Sequence, residues 1–165
     1  MIETERKLVI AMPDIEKIKK EEAYTESLIE QIYLSDPDLT RRVRKREYSS
    51  GRREYTENTK RRISKMSSIE NEREITEDEY LRLSLKIEDG AKPLLKTRIT
   101  FFYDGKTVEI DVYPNWKRTA ILEVELERED EQIALPEYIT VIKEVTGDRT
   151  YSNHSMAHAF PSELI

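Results

Sequence analysis

Cysteine is absent from this 165-residue chain, which excludes a disulfide framework and any Cys-ligated zinc or iron–sulfur site. Long apolar runs are absent too: none exceeds five residues, against the roughly 20 that a membrane helix needs. Glycine, proline and tryptophan are scarce, at four, six and one. No low-complexity linker, internal repeat or shift of composition marks a second domain. The length suits one domain, residues 1–165, with little room for two independent cores. The opening MIETERKL puts charge where a signal peptide would carry its apolar segment, so a soluble, cytoplasmic protein is expected. Regular apolar alternation in both halves argues against disorder.

Charge is abundant and unevenly spread. Charged residues make up 38% of the chain and the net charge is −6, yet residues 41–65 hold eleven Lys/Arg against three Asp/Glu. That stretch carries a surplus of +8 and leaves −14 to the rest. A polyanion is attracted to the first part, and metal ions or a cationic partner to the second. An acidic protein overall makes a poor general nucleic-acid binder, because that affinity rests mainly on phosphate neutralisation. Tyr48 and Tyr55 within the basic stretch allow base stacking, but no RNA-binding module signature accompanies them.

Period-2 alternation predicts eight strands, at roughly 2–10, 27–34, 40–48, 52–62, 68–75, 94–103, 107–113 and 120–127. Asp104-Gly105 and Ser49-Ser50-Gly51 read as hairpin turns. Pro13-Asp14 opens a short helix to about residue 22. Thr76 with Glu79 forms a capping box for a helix running to about residue 88. A short helix near 136–144 and an ill-defined tail after Tyr151 complete the expectation. Residues two apart share a strand face, and the faces are unusual. Glu3, Glu5 and Lys7 share one, Arg42, Arg44 and Arg46 another, and Glu70, Glu72 and Glu74 a third. Glu109 and Asp111, Glu123 and Glu125, and Lys96 and Arg98 alternate with apolar residues in the same way. An ordinary wet face mixes charges and neutral polar groups, because like charges side by side repel. Pure acidic and pure basic rows suit a polyphosphate held between Mg²⁺ ions and basic side chains. Two Glu at i and i+2 lie roughly 7 Å apart at the backbone, within reach of one shared ion.

From Glu3-Thr4-Glu5-Arg6-Lys7 onward the chain resembles the CYTH superfamily, the triphosphate tunnel metalloenzymes, in their bacterial single-domain type. That opening matches the family's E-x-E-x-K signature. The resemblance continues through the I-x-Q-x-Y-L run at 29–34 and the R-x-R-x-R of Arg42, Arg44 and Arg46. It includes Thr59-Lys60, the E-x-E-x-E-I run at 70–75, Lys96-Thr97-Arg98, Glu109-Ile110-Asp111 and Glu123-Val124-Glu125. The closing E-V-T-x-D and Y-x-N correspond to residues 144–148 and 151–153. Departures are Asn58, where the family usually has Thr, and residues 61–69, which lack the Arg and Glu often found before the carboxylate strand.

The resemblance implies a mainly β, α+β fold: an eight-stranded antiparallel closed β-barrel forming an open tunnel, with short flanking helices. A polar interior would put the apolar core outside, where Ile15, Ile18, Tyr80, Leu81 and Leu83 pack on the outward rows. It implies metal binding by Glu3, Glu5, Glu123 and Glu125, with Asp111 a further ligand or a partner behind the ligands. Glu70 and Glu72 bind a second metal or orient basic residues. Lys7, Arg42, Arg44, Lys60, Lys96 and Arg98 bind triphosphate, and Lys7 with Tyr33 stabilises the leaving group or activates water. The cofactor implied is Mg²⁺ or Mn²⁺ at a two-metal site. The expected partner is a triphosphate or polyphosphate small molecule, with no nucleic acid and no membrane; a homodimer stays open. Three activities remain: hydrolysis of inorganic tripolyphosphate or a nucleoside triphosphate, a class IV-type adenylate cyclase, and non-catalytic polyphosphate binding. Trp116 reads as a packing anchor between two strands. His154 and His158 have the i, i+4 spacing of metal ligands on a helix, but no carboxylate motif joins them, and a surface or disordered tail is the simpler reading.

Overall fold

The computed structural model describes all residues, 1–165. Its strands are β1 (Ile2–Ala11), β2 (Tyr24–Leu34), β3 (Thr40–Tyr48), β4 (Arg53–Arg62), β5 (Ser67–Glu74), β6 (Leu94–Tyr103), β7 (Lys106–Val112), β8 (Thr119–Leu126) and β9 (Val141–Glu144). The helices are α1 (Ile15–Glu21), α2 (Glu77–Ser84) and α3 (Asn153–His158), the last preceded by a 3₁₀ turn at Arg149–Tyr151. Neighbours run β5-β4-β3-β2-β6-β7-β8-β1, all antiparallel, and β1 pairs back onto β5 to close an eight-stranded barrel.

Closure is short, through Ile2↔Ile69, Glu3↔Ser68 and Thr4↔Ser67. Beyond it the free edge of β1 would leave backbone groups unpaired. The Glu5 N–H donates to the Met66 carbonyl, the Lys7 N–H to Thr146 Oγ1, and β9 then takes up the edge from Leu8 to Ile10. Here the expected helix near 136–144 is replaced by a strand. Its residues, Val-Ile-Lys-Glu, suit an edge that β5 vacates, and that long-range pairing outweighs local pattern.

Local signals act as their chemistry dictates. Asp104 and Gly105 both have positive φ, at 51° and 72°, the geometry of a two-residue turn that matches strand twist. Asp14 accepts from the Lys17 N–H to start α1, and the Thr76–Glu79 capping box starts α2. Helix α2 stops at Ser84, earlier than expected, because Ile87 bridges to Leu34 on the barrel wall. No helix is long and apolar enough to cross a membrane.

Most of the core lies outside the barrel. Outward residues of β1, β6, β7 and β8, among them Leu8, Ile10, Phe101, Ile110, Leu122 and Val124, pack with Ile18 of α1, and Ile15 lies against them. Ile32, Leu34 and Val43 pack beneath Tyr80 of α2 with Leu83 beside them, whereas Leu81 is 55% exposed and faces away. A third cluster corrects the open tunnel. Val9, Ile121, Tyr113, Leu94 and Tyr33 continue the inward rows at one end, and Trp116, Val145, Tyr151, Met156 and Ala157 pack onto them. At that end the bore is stopped by an apolar plug. The segment after residue 148 is the ordered cover of that plug, so it is no disordered tail.

Candidate functional site: a charge-lined bore

The inward rows enclose a cavity of about 920 Å³ lined by 36 residues, only six of them hydrophobic. Strands four places apart on a ring of eight face each other, so topology alone sets β3 opposite β8 and β5 opposite β6. Arg42, Arg44 and Arg46 therefore look across at Glu123 and Glu125, and Glu70 and Glu72 look towards Arg98. All of these residues border the same cavity.

The acidic wall spans three adjacent strands: Glu3 and Glu5 on β1, Glu123 and Glu125 on β8, Glu109 on β7. Register puts like charges side by side, Glu5↔Glu125 and Glu109↔Glu123, an arrangement that is unfavourable by itself. Burial, followed by the Glu123 charge, pushes the Glu5 carboxyl well above the usual carboxylate range. Glu3 is raised by burial despite Lys60 nearby, and Glu125 by burial with Glu109 and Glu3. Glu123 differs: burial would raise it, but Lys7 and Arg98 hold it down at about 2. The wall thus crowds carboxyls that disfavour one another's charge. An all-oxygen donor set of this kind fits a hard divalent cation, and Glu3, Glu5, Glu123, Glu125 and Glu109 could hold one.

The basic wall lacks counter-charge in turn. The buried Nε atoms of Arg42 and Arg44 have no hydrogen-bond partner, which is costly unless a ligand supplies one. Arg44 reaches Glu72 only at 3.5 Å, and burial with the neighbouring Arg42 and Arg98 lowers it to about 10. Lys60 borders the cavity beside Glu70, its partner in the ladder, and Asn58 donates to Glu70 Oε1 at 3.2 Å. On the outward faces the pattern reverses: Arg41 and Arg73 both hold Glu57. Arg41 and Arg73 facing out are paired, whereas the Nε atoms of Arg42 and Arg44 facing in are not.

Beneath the walls a packed ion cluster sets their position. Asp111, 1% exposed, accepts from Lys96 Nζ at 2.8 Å and from Arg98 Nε and Nη2 at 2.7 and 2.9 Å. Burial would raise its pKa, but Arg98 and Lys96 hold it far below the usual carboxylate range. Both Asp111 oxygens are engaged by Lys96 and Arg98, and the residue does not border the cavity. Lys96, expected on the triphosphate, is 3% exposed and does not border the cavity; it bonds Asp111 and, at 3.4 Å, Asn153 Oδ1. Arg98 does reach the cavity, held by Asp111 and by Glu109 at 2.9 Å. Lys7 lies 3.5 Å from Glu123 and donates to the Tyr151 carbonyl at 3.2 Å. Burial would lower its pKa, but Glu123, Glu5 and Asp111 outweigh that and raise it. Tyr33 borders the cavity at its plugged end and accepts from Gln31 Nε2 at 3.0 Å.

Glu3, Glu5, Glu70, Glu72, Glu123 and Glu125 thus converge on one cavity with Lys7, Tyr33, Arg42, Arg44, Lys60 and Arg98. Residues not assigned there from sequence also line it. Glu109 shares parity with Asp111 and could have been read from the same alternation. Arg62, the last residue of β4, shares parity with Lys60 and could have been read the same way, whereas Asn153 and His154 reach the cavity from α3, for which the sequence carries no periodic signal.

No protein-family model matches the chain, and no curated protein matches it significantly. Solved structures do match. Two crystal structures of NE1496, one described as a hypothetical protein and the other as an inorganic triphosphatase, are 26% identical to this chain. The first has a TM-score of 0.58 over 96% of this chain and 99% of its own, the second 0.59 over 97% of each. The PH1819 protein of Pyrococcus horikoshii OT3 shares the fold at 22% identity, TM-score 0.57, over 76% of this chain and 80% of its own. Closed barrel, bore lined by facing rows of charge and structural likeness at nearly full length together show the chain to have the CYTH-type triphosphate tunnel fold.

Proposed function

We propose that this chain is a metal-dependent triphosphatase that hydrolyses inorganic tripolyphosphate or a nucleoside triphosphate in the bore. One observation carries the reading: both walls of a single cavity are left wanting partners, with orphaned guanidinium nitrogens on one side and crowded carboxyls on the other. A metal–triphosphate complex supplies both at once. The likeness to a structure described as an inorganic triphosphatase supports the same chemistry.

In this reading Glu3, Glu5, Glu123 and Glu125 hold Mg²⁺ or Mn²⁺, with Glu70 and Glu72 able to take a second ion. Bound there, the metal supplies charge neutralisation at phosphate oxygens and a polarised water. Arg42, Arg44, Lys60 and Arg98 grip the phosphate chain, Arg by its planar fork and Lys as a point charge. Asp111 and Lys96 position Arg98. Lys7 places a positive charge beside Glu123, where it can stabilise the leaving phosphate, and Tyr33 offers a hydroxyl at the same end. Phosphoryl transfer asks mainly for such positioning and charge stabilisation.

Incubation with tripolyphosphate, ATP and thiamine triphosphate, with and without Mg²⁺ or Mn²⁺, tests the activity. Metal-dependent release of orthophosphate is expected. Pyrophosphate with cyclic AMP would make the protein a cyclase, and no product with retained binding would make it a binding module. Arg44→Ala removes an inward guanidinium that has no full partner of its own, so the fold should tolerate it. Charge-assisted contacts contribute about 1.5–3 kcal/mol, so KM for tripolyphosphate should rise roughly tenfold to a hundredfold, with a weaker salt dependence. An unchanged KM would remove the Arg row from the substrate site.

A further inference from the structure

We propose that Glu88, His154 and His158 form a second metal site, for Zn²⁺ or a similar borderline transition ion, at the plugged end of the bore and separate from its carboxylate wall. The Nε2 atoms of both histidines aim at the same Glu88 Oε1, at 3.2 and 2.7 Å, and the three ligand atoms lie within 4.8 Å of one another. Two imidazoles and one carboxylate, with a further position open to water, is a ligand set that zinc takes. Imidazole nitrogen selects for zinc-like ions against Mg²⁺, the opposite preference to the all-oxygen bore.

The three groups are held in place before any ion arrives. His154 and His158 sit one helical turn apart on α3, on the same face. The His154 ring lies against Tyr33, centroids 5.0 Å apart, and the ring of His158 lies against Gly90. Gly90 has φ +81°, so the glycine allows the turn that sets Glu88 beside the two rings. The turn bearing Glu88 is pinned at both ends: the Glu88 N–H donates to the Tyr33 carbonyl at 2.8 Å, and the Lys92 N–H to the Ala157 carbonyl at 2.8 Å. All three side chains remain accessible, at 38%, 31% and 26% exposure for His154, His158 and Glu88.

An ion here fastens α3 to the turn after α2. Helix α3 supplies Met156 and Ala157 to the apolar plug, and His154 borders the cavity, so the ion would brace the plugged end of the bore. Because it binds the folded chain, it should raise the melting temperature as its concentration increases.

Metal-stripped full-length protein is titrated with Zn²⁺ in saturating Mg²⁺, which occupies the oxygen-donor bore, with heat of binding and melting temperature as readouts. Wild type and the bore variant Glu5→Gln should each take up one Zn²⁺ and gain thermal stability. His158→Ala and Glu88→Gln should each weaken that uptake at least tenfold, since even loss of a group behind a metal ligand costs about 10–100-fold. With Co²⁺ in place of Zn²⁺, visible bands of a nitrogen-ligated tetrahedral ion should appear in wild type and disappear in His158→Ala. No Zn²⁺ uptake by wild type, or equal uptake by both site variants, overturns the proposal and leaves two histidines merely sharing a carboxylate. Loss of uptake in Glu5→Gln alone would also overturn it, by moving the zinc into the bore.

Discussion

Glu5→Gln should abolish metal-dependent triphosphate turnover, by a hundredfold or more, while leaving the metal-free melting temperature unchanged. Glu5 lies buried among like charges in the bore. Burial and the neighbouring Glu123 raise its carboxyl well above the usual range, so its charge is disfavoured there unless a cation offsets it. Glutamine has nearly the shape of glutamate and removes a charge that the metal-free fold disfavours, so that fold should keep its stability. What is lost is a metal-binding oxygen, and stabilisation of charge in the reacting complex is worth about 10²–10³ per group removed. Activity assays, paired with thermal melts with and without Mn²⁺, check both halves. Wild type should be stabilised by Mn²⁺ and the variant much less so. Full activity in Glu5→Gln would take Glu5 out of the metal site.

Asp111→Asn should behave in the opposite way, by damaging the fold before the chemistry. Asp111 is the only carboxylate bonded to both Lys96 and Arg98, which are 3% and 8% exposed. Removing its charge leaves two buried cations short of a partner, a change that costs about 3–5 kcal/mol. For a chain of this length that corresponds to a fall of roughly 10 °C in melting temperature. A hydrophobic swap of all three residues together should be far better tolerated than the single change, because the cost lies in the uncompensated charge. The same cluster predicts acid sensitivity. Asp111 has a depressed pKa in the folded state, so its stabilisation is complete above the unfolded carboxylate value of about 3.9. That stabilisation fades as pH falls from there towards the folded value. In Asp111→Asn this part of the acid-induced destabilisation should be missing. A melting temperature for Asp111→Asn within a degree or two of wild type would show that the cluster is solvated and structurally idle.

Much of the site was legible because strand parity is a strict rule. Once Glu123 faces the bore, Glu125 must also face it and Leu122 and Val124 must face away, and the structure obeys this along every charged row. The hairpin at Asp104-Gly105 and the capping box at Thr76 are local chemistry, and each appears where its residues sit. The features that escaped are those set by distant partners. Strand β9 exists because β5 leaves the edge of β1 after Thr4, and nothing within residues 141–144 records that vacancy. The plug continues the same inward rows through Val9, Leu94, Tyr113 and Ile121, but apolar residues at strand ends read equally well as ordinary core. Lys96 and Arg98 look equivalent in sequence; burial against Asp111 and Asn153 is what withdraws the lysine. The His154–Glu88 contact spans 66 residues, so the missing carboxylate of the histidine pair could be found only in three dimensions.

The central claim is that the acidic and basic rows share one bore and together hold a metal–triphosphate complex. An anomalous difference map from crystals grown with Mn²⁺ and tripolyphosphate tests it most directly. The account predicts a manganese peak among Glu3, Glu5, Glu123 and Glu125, with the phosphate chain lying against Arg42, Arg44 and Lys60. Manganese confined to the outer surface, with no phosphate density between the two walls, would contradict it.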